Sequence, residues 1–197
     1  MRDIVESLYT LSHIATQINL LVQVSKVSYK NGDFLDSFVE LPGWYSNQRY
    51  SKSVLAITLN DILIFANSYL DELQEELTPI NYPNRADSIL SFRKAIKPAL
   101  RRIKKWRDLK EYRNEILVHN YRVKSRSMFS ANHQAKVYNV PSKDQEILLL
   151  AELILLINKQ MRTFFSEDVE RFLLEGTKII DRYSTYPPDK PRLLGLN

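Results

Sequence analysis

From residue 3 to residue 28 the apolar side chains Ile4, Leu8, Leu11, Ala15, Ile18 and Val22 recur at steps of three and four. That spacing lines one face of an α-helix and no single face of a strand. The signature returns over 52–77, carried by Leu55, Leu59, Ile62, Ala66, Tyr69, Leu73 and Leu77. It returns again over 86–119, carried by Ile89, Phe92, Ile96, Leu100, Ile103, Trp106 and Leu109. A fourth helical stretch runs from Lys143 to about Ile180, with a bend near Ser166. Stripes of this length predict an all-α fold, an up-and-down bundle of four to five helices. The chain holds only 4 glycines in 197 residues. That is too few for a turn-dense β architecture or a glycine-rich phosphate loop.

The breakers divide the chain. NGDF and LPGW mark a loop from Lys30 to about Tyr50, where Phe34, Phe38, Trp44 and Tyr45 predict packing against the bundle. Pro79 and Pro83 mark a short loop after the second stripe. Pro98 lies inside the third stripe, where it predicts a kink, or a helix ending near Ala95 and another starting near Pro98. Residues 122–141 form a polar connection. Ser142 then offers an N-cap, with Gln145 as its capping-box partner. A mass of 23.1 kDa suits one domain. We read residues 1–183 as one helical domain and 184–197 as a proline-rich tail holding three of the 8 prolines.

With no cysteine, the chain has no disulfide, thiolate metal site or cysteine nucleophile. The first ten residues show no signal-peptide core. The most apolar run, Ile147 to Ile157, is interrupted by Glu152 and is well short of the roughly 18 residues of a membrane span. The expectation is a soluble cytoplasmic protein with no membrane partner.

The net charge of +5 is unevenly spread. Residues 85–126 carry 14 of the 28 basic side chains and 4 of the 23 acidic ones. Such a concentrated positive region favours a polyanionic partner, nucleic acid first. The candidate phosphate contacts are Arg101, Arg102, Lys104, Lys105, Arg107, Lys110, Arg122, Lys124 and Arg126. The blander reading of such a run is a solvated helix face.

Within the basic region, WRDLKEYRNEILVHNYR places Arg113 and Asn114 before the aliphatic turn Ile116-Leu117-Val118, then His119, then Tyr121. This stretch resembles the HEPN superfamily of all-α domains. Its ribonuclease members carry an arginine, usually followed by a polar residue, and a histidine after a gap of four to six residues. Here Arg113, Asn114 and His119 fit with a gap of five. A subgroup of toxins paired with nucleotidyltransferase antitoxins adds a tyrosine two places after the histidine, matched by Tyr121, although its usual gap is four.

The resemblance implies a metal-independent endoribonuclease without a cofactor, in a bacterial defence or toxin–antitoxin setting. The catalytic set would be Arg113, Asn114 and His119. The chemistry suits these residue types. Histidine exchanges protons near neutrality, and a helix C-terminus favours its charged form. Arginine gives bidentate hydrogen bonds to phosphate. Asparagine can orient the histidine or bond the phosphate. Attack by a 2′-hydroxyl would leave a 2′,3′-cyclic phosphate and a 5′-hydroxyl, so DNA would be spared.

On an ideal helix Arg113 and His119 lie about 240° apart, on different faces. Either the helix ends or bends before His119, or a second protomer completes the site. The resemblance implies the latter, a homodimer with a composite cleft.

Other readings stand beside this one. Arg113 can pair with Asp108 or Glu115, and His119 can cap a helix end. Tyr121 and Trp106 suit packing, His13 a structural position and His133 a solvated loop. Asp71, Glu72, Glu75 and Glu76 lack a histidine partner at metal-ligand spacing, so no metal is expected, and they can face the basic helix instead. The alternative function is a non-catalytic HEPN-like module that binds RNA or a protein partner. A DNA-binding helical protein is a third class, for which no helix-turn-helix signature is present.

Overall fold

The computed structural model describes residues 3–30, 47–114 and 137–173. Among these residues the structure is all-helical, with no strand. Helix α1 spans Ile4–Lys30 and α2 spans Asn47–Asp71. A π-helical turn, Glu72–Glu76, extends α2. A short 3-10 turn, Pro83–Arg85, leads into α3, Ala86–Ile103. The short α4 spans Leu109–Tyr112 and α5 spans Asp144–Phe164. After a turn at Phe165 the helix resumes over 166–173.

The apolar stripes become the core. Leu8, Leu11, Ile18, Ile62, Leu73, Ile89 and Phe92 are fully buried, joined by Leu150, Ile154 and Ile157 of α5. Helix α1 packs on α2 and α5, α2 also packs on α5, and α3 packs on α5. Helices α1 and α5 run antiparallel. Lys26 near the end of α1 meets Glu152 early in α5, while Asp3 meets Arg171 beyond its end. Phe92 of α3 packs edge-on against Phe165 at 5.8 Å. The chain beyond α2 returns to the start of α1, where the Ser7 and Tyr82 hydroxyls lie 3.0 Å apart.

The end of α2 is closed from α3. Leu77 donates its N–H to the Glu72 carbonyl at 3.1 Å, the longer loop of a π turn. Arg93 Nη2 then donates to the carbonyls of Leu73 and Leu77 at 3.1 and 2.8 Å. It satisfies acceptors that a helix end leaves open. Burial lowers the Arg93 pKa, but this cation serves as a cap.

Three boundaries differ from the sequence expectation. Helix α3 is continuous through Pro98 and ends at Ile103. Pro98 deletes one hydrogen bond, yet Phe92 and Ile96 before it and Ile103 after it are all buried, so packing holds the helix on both sides. The ladder breaks at 104–108 instead. There Trp106 N–H bonds the Ile103 carbonyl at 2.9 Å, and Asp108 N–H turns to Asn139 at 3.3 Å.

The second difference is the cap of α5, which starts one residue later than expected. Glu146, not Gln145, reaches back, accepting from the N–H groups of Ser142 and Lys143 at 2.9 and 3.4 Å. The Ser142 backbone bond holds the Glu146 carboxyl below the usual carboxylate range. Third, α2 starts at Asn47, ahead of the expected Lys52. The loop aromatics Phe34, Phe38, Trp44 and Tyr45 and the 184–197 tail lie outside the described residues.

Candidate functional site

The site is built on the break after α3. Trp106 and Leu109 are buried, and they pin the chain on either side of the turn at 107–108. The Arg102 guanidinium lies 4.5 Å above the Trp106 ring, a cation–π contact that covers the indole. Asp108 Oδ2 accepts from Asn139 N–H at 2.7 Å, and Tyr112 meets Tyr138 edge-on at 5.3 Å. The two ends of the 115–136 connection are thereby held together.

Arg113 follows α4 directly. Its side chain is 16% exposed. Nε donates to Asn114 Oδ1 at 3.0 Å. Nη1 donates to Asp71 Oδ2 at 2.7 Å, across to the last residue of α2. Lys110, one turn before Arg113, places Nζ 3.0 Å from Asp71 Oδ1 and 3.0 Å from Glu75 Oε1. Two carboxylates of α2 and its π turn thus face two cations around α4. Burial raises the Asp71 carboxyl, but hydrogen bonds from Arg113 and Lys110, with their charges, outweigh it and hold the group below the usual carboxylate range. The same carboxylates raise the pKa of Lys110, Glu75 foremost.

The structure therefore brings Arg113 and Asn114 into contact and adds Asp71, one of the acids read from the sequence as able to face the basic helix but not matched there to Arg113. The acidic run at the end of α2 was the available signal, but 42 positions separate Asp71 from Arg113. Of the acids expected from proximity in sequence, Asp108 is turned to Asn139 and does not pair with Arg113, and Glu115 lies outside the described residues. His119, Tyr121, Arg122, Lys124, Arg126 and His133 also lie outside them. His13 is exposed on α1, stacked at 6.1 Å on Tyr9.

The expected phosphate contacts divide into two kinds. Arg101, Lys104, Lys105 and Arg107 are exposed, with no ion-pair partner among the described residues. Lys94 and Lys97, which the sequence reading did not single out, are exposed in the same way and continue that face about two turns toward the start of α3. Arg102 and Lys110, by contrast, are engaged with Trp106 and with the two carboxylates. Among the described residues no group of three or more histidine, aspartate or glutamate side chains is arranged to hold a metal ion. No helix among them is long and apolar enough to cross a membrane.

In comparisons with protein-family models, with curated proteins and with solved structures, nothing matches this chain.

Proposed function

We propose that the chain is an endoribonuclease of HEPN type that cuts RNA without a metal or cofactor. The observation that supports this reading most is the Arg113–Asn114 pair, held in one hydrogen-bonded arrangement beside an exposed run of basic side chains. In this reading His119 takes the proton of a 2′-hydroxyl. O2′ then attacks the adjacent phosphorus, and the bond to O5′ breaks with a proton restored to the departing oxygen. Arg113 donates to the phosphate oxygens as charge builds on them. The products are a 2′,3′-cyclic phosphate and a 5′-hydroxyl. A homodimer supplies two such motifs to one cleft, and Tyr121 borders it. A bacterial defence role, with an antitoxin as partner, belongs to the same reading.

One observation favours a second reading. Arg113 is bonded to both Asp71 and Asn114, as a structural arginine would be. The chain would then be a HEPN-like module that binds RNA or a protein without cutting.

Cleavage of total RNA in EDTA, wild type beside His119→Ala, separates the two. Cyclic-phosphate ends from the wild type alone support the enzyme. RNA binding with no cleavage by either supports the module. Equal cleavage by both rejects His119 as the base.

A further inference from the structure

We infer that Asp71 is a positioning residue for Arg113, fixing its guanidinium so that a phosphodiester meets an already oriented set of donors. This rests on the reading of Arg113 as the residue that holds the scissile phosphate. An arginine carries five N–H donors in one plane. Two are engaged within the protein, Nε with Asn114 at 3.0 Å and Nη1 with Asp71 at 2.7 Å. Bonds at two different nitrogens fix both the position and the tilt of the plane. Among the described residues Nη2 has no partner, so its two hydrogens and the second hydrogen of Nη1 remain. That is enough for a bidentate phosphate contact with the Asp71 bond intact.

Asp71 is itself braced. Its other oxygen, Oδ1, is held at 3.0 Å by Lys110, which Glu75 holds from the other side at 3.0 Å. Lys110 thus opposes a swing of the carboxylate with Arg113, and α2 helps to set where the guanidinium sits. A long side chain otherwise loses its rotamer freedom on meeting substrate, and such ordering costs rate when it is left to the transition state. The opposite role is a carboxylate that competes with phosphate for Arg113. It predicts a gain on neutralising Asp71, and the two roles therefore give opposite signs.

The test compares wild type, Asp71→Asn, Asp71→Glu, Arg113→Ala and the double variant Asp71→Asn/Arg113→Ala, with helicity and melting checked for each. Two probes are used, a single-stranded RNA oligonucleotide for cleavage and its fully 2′-O-methylated analogue for binding. Asp71→Asn is expected to lower kcat on the order of 100-fold, the scale of a small misplacement of a reacting group, with KM little changed. Asp71→Glu keeps the charge but displaces it by one methylene, and its rate is expected between those of wild type and Asp71→Asn. The double variant is expected to be no slower than Arg113→Ala.

Wild-type or faster cleavage by Asp71→Asn overturns the inference, and so do losses that multiply in the double variant. If Asp71→Asn does not fold, Asp71→Glu decides, since a wild-type kcat in it overturns the inference and a lower one supports it. If the wild type does not cleave, the ribonuclease reading is what fails, and binding of the methylated RNA then decides. Weakening by Asp71→Asn that does not exceed that by Arg113→Ala, with none added in combination, supports Asp71 as the residue that positions a phosphate-binding arginine. Additive or absent weakening overturns it.

Discussion

On the proposed ribonuclease reading, Arg113 and Asp71 couple the chemistry of a site to the stability of the bundle, because the same carboxylate would serve both. Hydrogen bonds from Arg113 and Lys110 hold the Asp71 carboxyl below its ordinary value despite the burial that raises it. A carboxyl with a depressed folded pKa adds stability above its unfolded pKa and loses it as pH falls through the folded value. Asp71→Asn removes that contribution and keeps the shape. Urea unfolding at neutral pH is therefore expected to show the variant less stable by about 1 kcal/mol, the upper end for exposed pairs, since this one is partly withdrawn. The gap is expected to persist down to about pH 4, near the unfolded carboxylate pKa, and to close below it. A gap that stays constant into acid, or is absent at neutrality, is incompatible with an ionised Asp71 paired to Arg113.

At the scale of elements, α3 is where pattern and structure diverge most usefully. The apolar stripe of 89–109 reads as one helix, and Pro98 reads as its break. The buried side chains on both sides of Pro98 outweigh one missing hydrogen bond, and the break falls at 104–108. An interior proline costs a helix about 3 kcal/mol against alanine, offset in part because proline also restricts the unfolded chain. Pro98→Ala is accordingly expected to raise stability by about 1–3 kcal/mol by chemical denaturation, with α3 unchanged. Equal or lower stability would mean that the geometry of α3 depends on the proline ring.

The true break was not legible, because it is made by Asp108 turning to Asn139, a contact between distant positions. The same holds for the π turn, since Leu73 and Leu77 keep a spacing of four and are both buried. The break in the last long helix was legible near Ser166 and falls at Phe165. The first three stripes needed only local periodicity and were read residue by residue, and the fourth helix was read by its bounds. Arg113 and Asn114 were singled out by their order in the chain, while Asp71 required the packing of α4 on α2.

At the scale of the whole molecule, a count of basic residues overstates the charge on offer to a partner. Arg85 is bonded to the buried Asp168 at 2.9 Å, Arg93 caps α2, Lys110 and Arg113 face Asp71, and Arg102 covers Trp106. These cations hold elements together. Lys94, Lys97, Arg101, Lys104, Lys105 and Arg107 are exposed and, among the described residues, without ion pairs. Steps of three and four place Lys94, Lys97 and Arg101 on one side of α3. A single strand laid along that side exchanges condensed counterions for these side chains. The logarithm of its affinity then falls with the logarithm of salt by roughly 0.7 for each phosphate neutralised. Replacing Lys94, Lys97 and Arg101 together by glutamine is expected to flatten that slope by about 2 in fluorescence anisotropy with single-stranded RNA. Arg85→Gln removes one charge from the chain and takes it from an internal pair, so it is expected to lower the melting temperature and leave the slope intact. An unchanged slope in the triple variant would move the strand off α3. Flattening by Arg85→Gln of about one third of that in the triple variant would mean that net charge alone governs binding and that no face is preferred.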